Sequence, residues 1–109
     1  MKNKNKLSSQ IDFDKNIPLE KKISDPDVVS VLFHKKKQMI LRILIHEEKK
    51  IMDLKKELKM NPGTIKRHLD DLRGKKLVAE PRIVINKYGI KEKYYHTTAK
   101  RFIVHLEWP

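Results

Sequence analysis

The side chains with most to offer chemically stand at the start of one predicted helix. They are Thr64, Lys66, Arg67 and His68, within NPGTIKRHLDDL over residues 61–72. Ile65, Leu69 and Leu72 recur at four and three residues in the same run, the spacing of a buried helical face. With those three turned inward, Gly63, Thr64, Lys66, Arg67 and Asp70 point outward. A helix start of this kind can read DNA. Arg67 carries the planar fork that matches the O6/N7 edge of guanine, Thr64 can meet a thymine methyl or a base edge, and Gly63 faces the bases beside them. Lys66 is a point charge, better suited to phosphate, and Arg73 is grouped with it. Asn61 has two uses, contacting phosphate or capping the helix; capping is favoured, because Asn before Pro62 suits a helix start. His68, on the flank, either donates to phosphate or is a structural histidine at the seam between helix and wing. Asp70 and Asp71 would repel phosphate, so they are expected on the solvent side or paired with Arg73 or Lys75.

A second cationic group follows. Arg82, Lys87, Lys91 and Lys93 stand against a single acid, Glu92, around a tip at Tyr88-Gly89. A hairpin so charged suits a minor groove and its flanking phosphates. A solvated hairpin with alternating charged residues is the other reading. Tyr94 and Tyr95 must point to opposite faces, one into the core and one free to donate its hydroxyl to phosphate. Lys35, Lys36 and Lys37 either grip a backbone or form a solvated charge run.

Catalysis and metal binding find no footing. There is no nucleophile elbow, no phosphate-cradling glycine loop and no paired carboxylates in a predicted pocket. Three glycines leave the backbone little freedom to wrap a cofactor, and none is expected. The absence of cysteine excludes disulfides, thiolate metal sites and cysteine nucleophiles. His34, His46, His68, His96 and His105 offer no pair at i, i+4, and His105 with Glu107 is only two ligands. No metal site is expected.

The formal net charge is +12 and the pI about 9.9, which favours a polyanionic partner without choosing among DNA, RNA and acidic membrane. No apolar run approaches the ~18 residues of a membrane span, and the charged N-terminus lacks the apolar stretch of a secretory signal. A cytoplasmic, nucleoid-associated protein is expected, without a membrane partner. A fold this small has little room for a ligand pocket of ~300 Å³ outside a dimer seam, so no small-molecule ligand is expected.

The elements that would position these groups read as follows. Residues 1–10 form a disordered basic arm, either a frayed end or a DNA contact. Residues 11–23 are an extension lying on the body or on a partner. Residues 24–98 are the DNA-binding domain. In it, Asp25-Pro26 opens a helix with the stripe Val28, Val29, Leu32 and Phe33. After a break near residues 34–37, Met39, Ile40, Ile43 and Leu44 mark a second helix, widened by Leu41 and Ile45. Ile51 is expected to pair briefly as a strand, and residues 53–59 to form a short helix with Leu54 and Leu58 inward. The helix over 61–73 ends near Gly74. Strands over 77–86 and 92–98 flank a hairpin tip at 87–91, with Pro81 confined to an edge or bulge. The tail, 99–109, alternates like a strand at Phe102, Val104, Leu106 and Trp108, but Thr98-Ala-Lys-Arg resembles a capped helix start; a helix is favoured. Phe102, Leu106 and Trp108 are expected to meet the N-terminal segment and a second copy in a two-fold dimer, or else to roof one protomer. The fold class is α+β, mainly helical: a winged helix-turn-helix with three to five helices and a two- or three-stranded antiparallel wing.

From residue 25 to about 97 the chain resembles the ArsR-like winged-helix transcriptional regulators. The matching pieces are Asp25-Pro26, MILRIL at 39–44, Asp53-Leu54 with Leu58, NPGTIKRHLDDL at 61–72, Leu77-Val78 and Tyr94-Tyr95. The resemblance implies a homodimer acting on a near-palindromic operator, with Thr64, Lys66 and Arg67 facing bases. Departures from the family pattern are Lys59 and Lys76, where glycine is usual, Lys55, where a small residue is common, and the missing cysteine motif of the metal-sensing branch. At Lys59 the departure implies a left-handed backbone costing roughly 1 kcal/mol. The function expected is sequence-specific binding of double-stranded DNA, with helix 61–73 in the major groove and wing 82–94 on the minor groove or backbone. The alternatives are a low-specificity nucleoid protein and a protein-interaction winged helix in a larger transcription or RNA-handling complex.

Overall fold

Three of the four helices among the described residues begin where a side chain supplies an acceptor for backbone N–H groups at the helix start. The Asp25 carboxylate accepts from the Asp27 N–H at 2.9 Å and opens α1 (Pro26–Leu32). After a break at Phe33-His34 comes α2 (Lys35–Leu44), which has no side-chain cap. Asp53 accepts from the Lys50 N–H at 3.1 Å at the start of α3 (Ile51–Leu58). Asn61 Oδ1 accepts from the Gly63 N–H at 2.7 Å, and Pro62 opens α4 (Pro62–Gly74). The computed structural model describes residues 17–107. Around these helices run β1 (Lys21–Ile23), the wing strands β2 (Arg82–Ile85) and β3 (Lys91–Tyr94), and β4 (Phe102–Val104).

The core joins all four helices to the root of the wing. Ile65, Leu69 and Leu72 of α4 are fully buried, as the three-four spacing requires, against Ile40 and Leu44 of α2, Leu54 of α3, and Leu77. Tyr95 is buried beside them and exchanges backbone hydrogen bonds with Lys49 at 2.8 and 3.1 Å. A second bridge, Val78 to Thr97, closes the wing's base. Beyond it, β2 and β3 pair antiparallel, with Ile83 opposite Lys93 and Ile85 opposite Lys91. The tip is held by Asn86, whose side-chain oxygen accepts from the Tyr88 and Ile90 N–H groups at 2.8 and 3.1 Å. Gly89 there takes φ 78°, which glycine adopts without steric cost.

Two lysines occupy left-handed backbone. Lys59, φ 53°, turns the chain between α3 and α4, and Lys76, φ 61°, ends the turn after α4. Both stand where the family pattern has glycine.

Several expectations are corrected. The tail is a strand, not a helix: β4 pairs parallel with β1, Lys21 opposite Phe102 and Ile23 opposite Val104. The Thr98 hydroxyl, read as a helix cap, instead donates to the Lys76 carbonyl at 2.8 Å, and the alternation of Phe102 and Val104 meets the open edge of β1. Ile51 begins α3; the bridge lies at Lys49. Lys35–Lys37 form the first turn of α2 and do not precede it. Phe33 leaves the α1 stripe, two-thirds exposed, with Val31 packed in its place. The arm at 1–10 and the first part of the extension, 11–16, lie outside the described residues.

Candidate nucleic-acid interface

On α4 the outer face carries Gly63, Arg67, Asp70 and Asp71, opposite the buried Ile65, Leu69 and Leu72. Arg67 is exposed and makes no hydrogen bond or ion pair with any described residue. Thr64 is half-buried. Asn61 caps, the favoured of its two uses, and Gly63 is shaped by that cap: a Cβ there would come within 3.1 Å of Asn61 Oδ1, tighter than ordinary contact.

The second half of the helix is bound up internally. Asp70 accepts two hydrogen bonds from Lys66 Nζ at 2.9 Å and one from Arg73 at 3.2 Å, and Arg73 reaches Glu80 at 3.1 Å. Asp71 pairs with Lys37 at 3.1 Å, not with Lys75. His68 does not sit at the wing seam. Its ring lies 4.9 Å from that of His34, just ahead of α2. Burial, then the nearby His34 and Lys37, pushes its pKa below the ordinary value.

The wing divides by face. On one face Arg82 grips Glu48 in two-point contact, 2.8 and 3.0 Å, and stacks over the Tyr94 ring at 5.1 Å. That carboxylate raises the Arg82 pKa, and the pair ties β2 to the loop before α3. Glu92 on the same face takes Lys50 Nζ at 3.1 Å, which raises the Lys50 pKa. Lys91 and Lys93 occupy the other face with Ile83 and Ile85, and neither makes an ion pair with a described residue. Lys87 lies over the ring of the exposed Tyr88 at the tip, 5.2 Å away.

These groups converge on two hollows that meet at half-exposed Met52. One, of about 420 Å³, lies between the start of α3, α4 and the wing, lined by Lys50, Met52, Lys66, Lys91 and Lys93 together with the acid Glu92. The other, of about 560 Å³, lies along α3 and the turn, lined by Met52, Lys55, Lys56, Lys59 and Asn61. Of the residues singled out from the sequence, Lys66, Lys91 and Lys93 are thus brought together in the first hollow and Asn61 lines the second, while Arg67 lines neither. Arg73, Arg82 and His68 face elsewhere. Lys55, Lys56 and Lys59 were not recognised as site residues. The signal was present: with Leu54 and Leu58 inward, the helical period turns Met52, Lys55, Lys56 and Lys59 to one outer face.

Among the remaining candidates, Phe102 packs half-buried on its own core and Leu106 is 40% exposed. Leu106 lines a separate apolar hollow of about 410 Å³ with Pro26, Val29 and Phe33. Trp108 lies outside the described residues. Among the described residues no group of three or more potential ligands could hold a metal ion, and no helix is long and apolar enough to cross a membrane.

A capped reading helix following a short helix and turn, with a two-stranded hairpin behind it, defines a winged helix-turn-helix. Comparison narrows the class: residues 34–80, less than half of the chain, match the family model described as bacterial regulatory protein, arsR family, the family that the sequence resembles. That family is one of regulators, not enzymes. The fold is shared with the transcriptional regulator HlyU from Vibrio vulnificus CMCP6, at TM-score 0.54 and 19% identity over 66% of this chain and 69% of that one. It is shared also with the transcriptional repressor BigR from Xylella fastidiosa, at TM-score 0.55 and 22% identity over 66% and 65%. No curated protein sequence matches the chain.

Proposed function

We propose that the protein is a sequence-specific, double-stranded-DNA-binding transcriptional regulator that works as a homodimer. The observation that carries this reading is the guanidinium of Arg67, unpaired among the described residues, on the outer face of a capped helix whose Lys66 and Asn61 line two lysine-rich hollows. The first half of α4 enters the major groove. Arg67 donates to a guanine edge, Thr64 and Gly63 approach bases beside it, and Asn61 holds the helix end in shape. Lys55, Lys56 and Lys59 on one side, and Lys91 and Lys93 on the other, take the phosphates. Lys66 joins them by exchanging Asp70 for phosphate. The wing lies on the minor groove or its backbone, and the two recognition helices of a dimer stand about 34 Å apart, one turn of DNA. The exposed apolar group of Phe33 and Leu106 supplies the dimer contact.

Low specificity is the second reading, and one feature favours it. Asp70 occupies both Lys66 and Arg73, leaving Arg67 and Thr64 as the groups free to read bases. Selection from a random DNA pool at physiological salt, followed by titration of two variants, separates the readings. Arg67→Ala should relax sequence preference, whereas Lys91→Ala should weaken selected and random DNA alike and reduce the salt slope by about 1. Equal losses on both DNAs for both variants would overturn specific readout.

A further inference from the structure

One feature of the wing has no part in phosphate binding. Ile83, Ile85, Tyr88 and Ile90 are each more than half exposed, Tyr88 the most at 74%. Strand register puts Ile83 and Ile85 on the face of Lys93 and Lys91, two lysines that line the hollow with Lys66 and Glu92. The opposite face is spent on the body, through Arg82 with Glu48 and Lys50 with Glu92. Apolar side chains are therefore gathered on the wing face of Lys91 and Lys93 and at the tip beyond it. A basic frame surrounds them: Lys87, Lys91 and Lys93, none in an ion pair with a described residue.

A partner for such a face must be apolar in the middle and anionic at the rim. A second copy of the wing would set these lysines against their own kind. The minor groove of a duplex fits, since its walls are sugar C–H surface, its floor is the edges of stacked bases and its rims are phosphates. The geometry points to the wing as an apolar wedge: Ile83 and Ile85 lie along the sugar walls, and Tyr88 and Ile90 press between base pairs at the tip and bend the duplex away from the wing. The lysines fix the phosphates on either side. The tip is stiff enough for this, because Asn86 closes it through two backbone N–H groups and Gly89 makes the turn. Apolar side chains used in this way kink DNA by about 20–90°. The wedge rests on the proposed DNA-binding function and adds a deformation to it, so that sequences with easily unstacked pyrimidine–purine steps under the wing are preferred without any base-edge hydrogen bond there.

The test uses the full chain and a duplex carrying a selected site, labelled at both ends for energy transfer, with binding followed separately by anisotropy. The wild-type protein should shorten the end-to-end distance. The double variant Tyr88→Ser/Ile90→Ser, altered only at exposed positions and checked for unchanged melting, should still bind within about tenfold but leave the duplex straight. Lys91→Ala should lose affinity and keep the bend at saturation. Binding by the wild type without bending, or equal bending by the double variant, overturns the wedge and leaves the DNA-binding reading intact. Absence of binding to any duplex overturns both. Self-association, or attachment to anionic vesicles, that disappears in the double variant while DNA bending does not would assign the apolar face to that other occupant.

Discussion

Lys59 links backbone strain to charge in a way that substitution can separate. It stands at φ 53°, ψ 45°, with its N–H donating to the Lys55 carbonyl at 2.8 Å, and its side chain lines the hollow with Lys55, Lys56 and Asn61. A left-handed conformation costs an L-residue about 1–2 kcal/mol that glycine does not incur. Glycine in turn adds about 0.4–1 kcal/mol of chain entropy to the unfolded state. Lys59→Gly should therefore stabilise the fold by a net ~0.5–1 kcal/mol, or about 3–6 °C in Tm for a domain of this size. The same substitution removes a phosphate-facing cation, so the slope of log K against log salt should fall in magnitude by about 0.9 per protomer. Lys76→Gly is the control. Its φ is 61°, but it lines neither lysine hollow, so it should raise Tm without moving the salt slope. Scanning calorimetry and fluorescence anisotropy at several salt concentrations read the two effects. A lower Tm for Lys59→Gly would refute the strain assignment, and an unchanged salt slope would remove Lys59 from the interface.

Glu48→Gln leaves Arg82 without its carboxylate at the root of the wing; it should cost about 1–2 kcal/mol in urea unfolding, since Arg82 is part-exposed, while DNA affinity stays unchanged because Arg82 faces away from the lysine-lined strip. His68 has a folded pKa depressed by burial and by His34 and Lys37, with Lys36 adding to the depression and Asp71 opposing it. Between that value and the ordinary one near 6.5 the unfolded chain binds more protons than the folded one. The His68 contribution is therefore full above about pH 6.5 and lost as pH falls through the folded pKa, and His68→Gln should flatten the decline of the urea midpoint below that pH. Leu106→Glu places a charge in the apolar hollow beside Phe33 and should give a monomer by light scattering at tens of micromolar with Tm little changed; a dimer that survives it uses another face.

What could be read in advance depended on how local the determining interaction was. Helical faces such as Ile65, Leu69 and Leu72 were legible because burial recurs at a fixed spacing within one element, and the caps at Asp25 and Asn61 because a cap bonds to residues two or three away. The β-rich runs likewise announced a hairpin, but as strands over 77–86 and 92–98, where β2 and β3 span only 82–85 and 91–94 and a single bridge joins Val78 to Thr97. The tail was misread because its state is set by a distant segment: Phe102–Val104 pair with Lys21–Ile23, and the cap-like Thr98 is taken by the Lys76 carbonyl. Side-chain allegiance was the least legible. Nothing local says that Arg82 belongs to Glu48 or Asp71 to Lys37, each more than thirty residues away.

That long-range pairing sorts the basic residues and so limits where a polyanion can engage. Lys37, Lys49, Lys50, Lys66, Arg73 and Arg82 each hold a carboxylate. Lys55, Lys56, Lys59, Arg67, Lys91 and Lys93 hold none among the described residues, and all of them except Arg67, which stands on the outer face of α4, border a concave strip from the turn between α3 and α4 to the wing. Cations already paired gain little from a phosphate, because one partner is exchanged for another; unpaired cations release counterions and gain the full effect. Affinity should therefore track the second set far more than the first, although both contribute equally to the net charge of +12. Lys66 is the informative intermediate. Asp70→Asn releases it from its carboxylate and should strengthen DNA binding several-fold with a steeper salt dependence. No change on that substitution would mean that Lys66 never leaves α4 for the phosphate backbone, and that the hollow binds through the wing lysines alone.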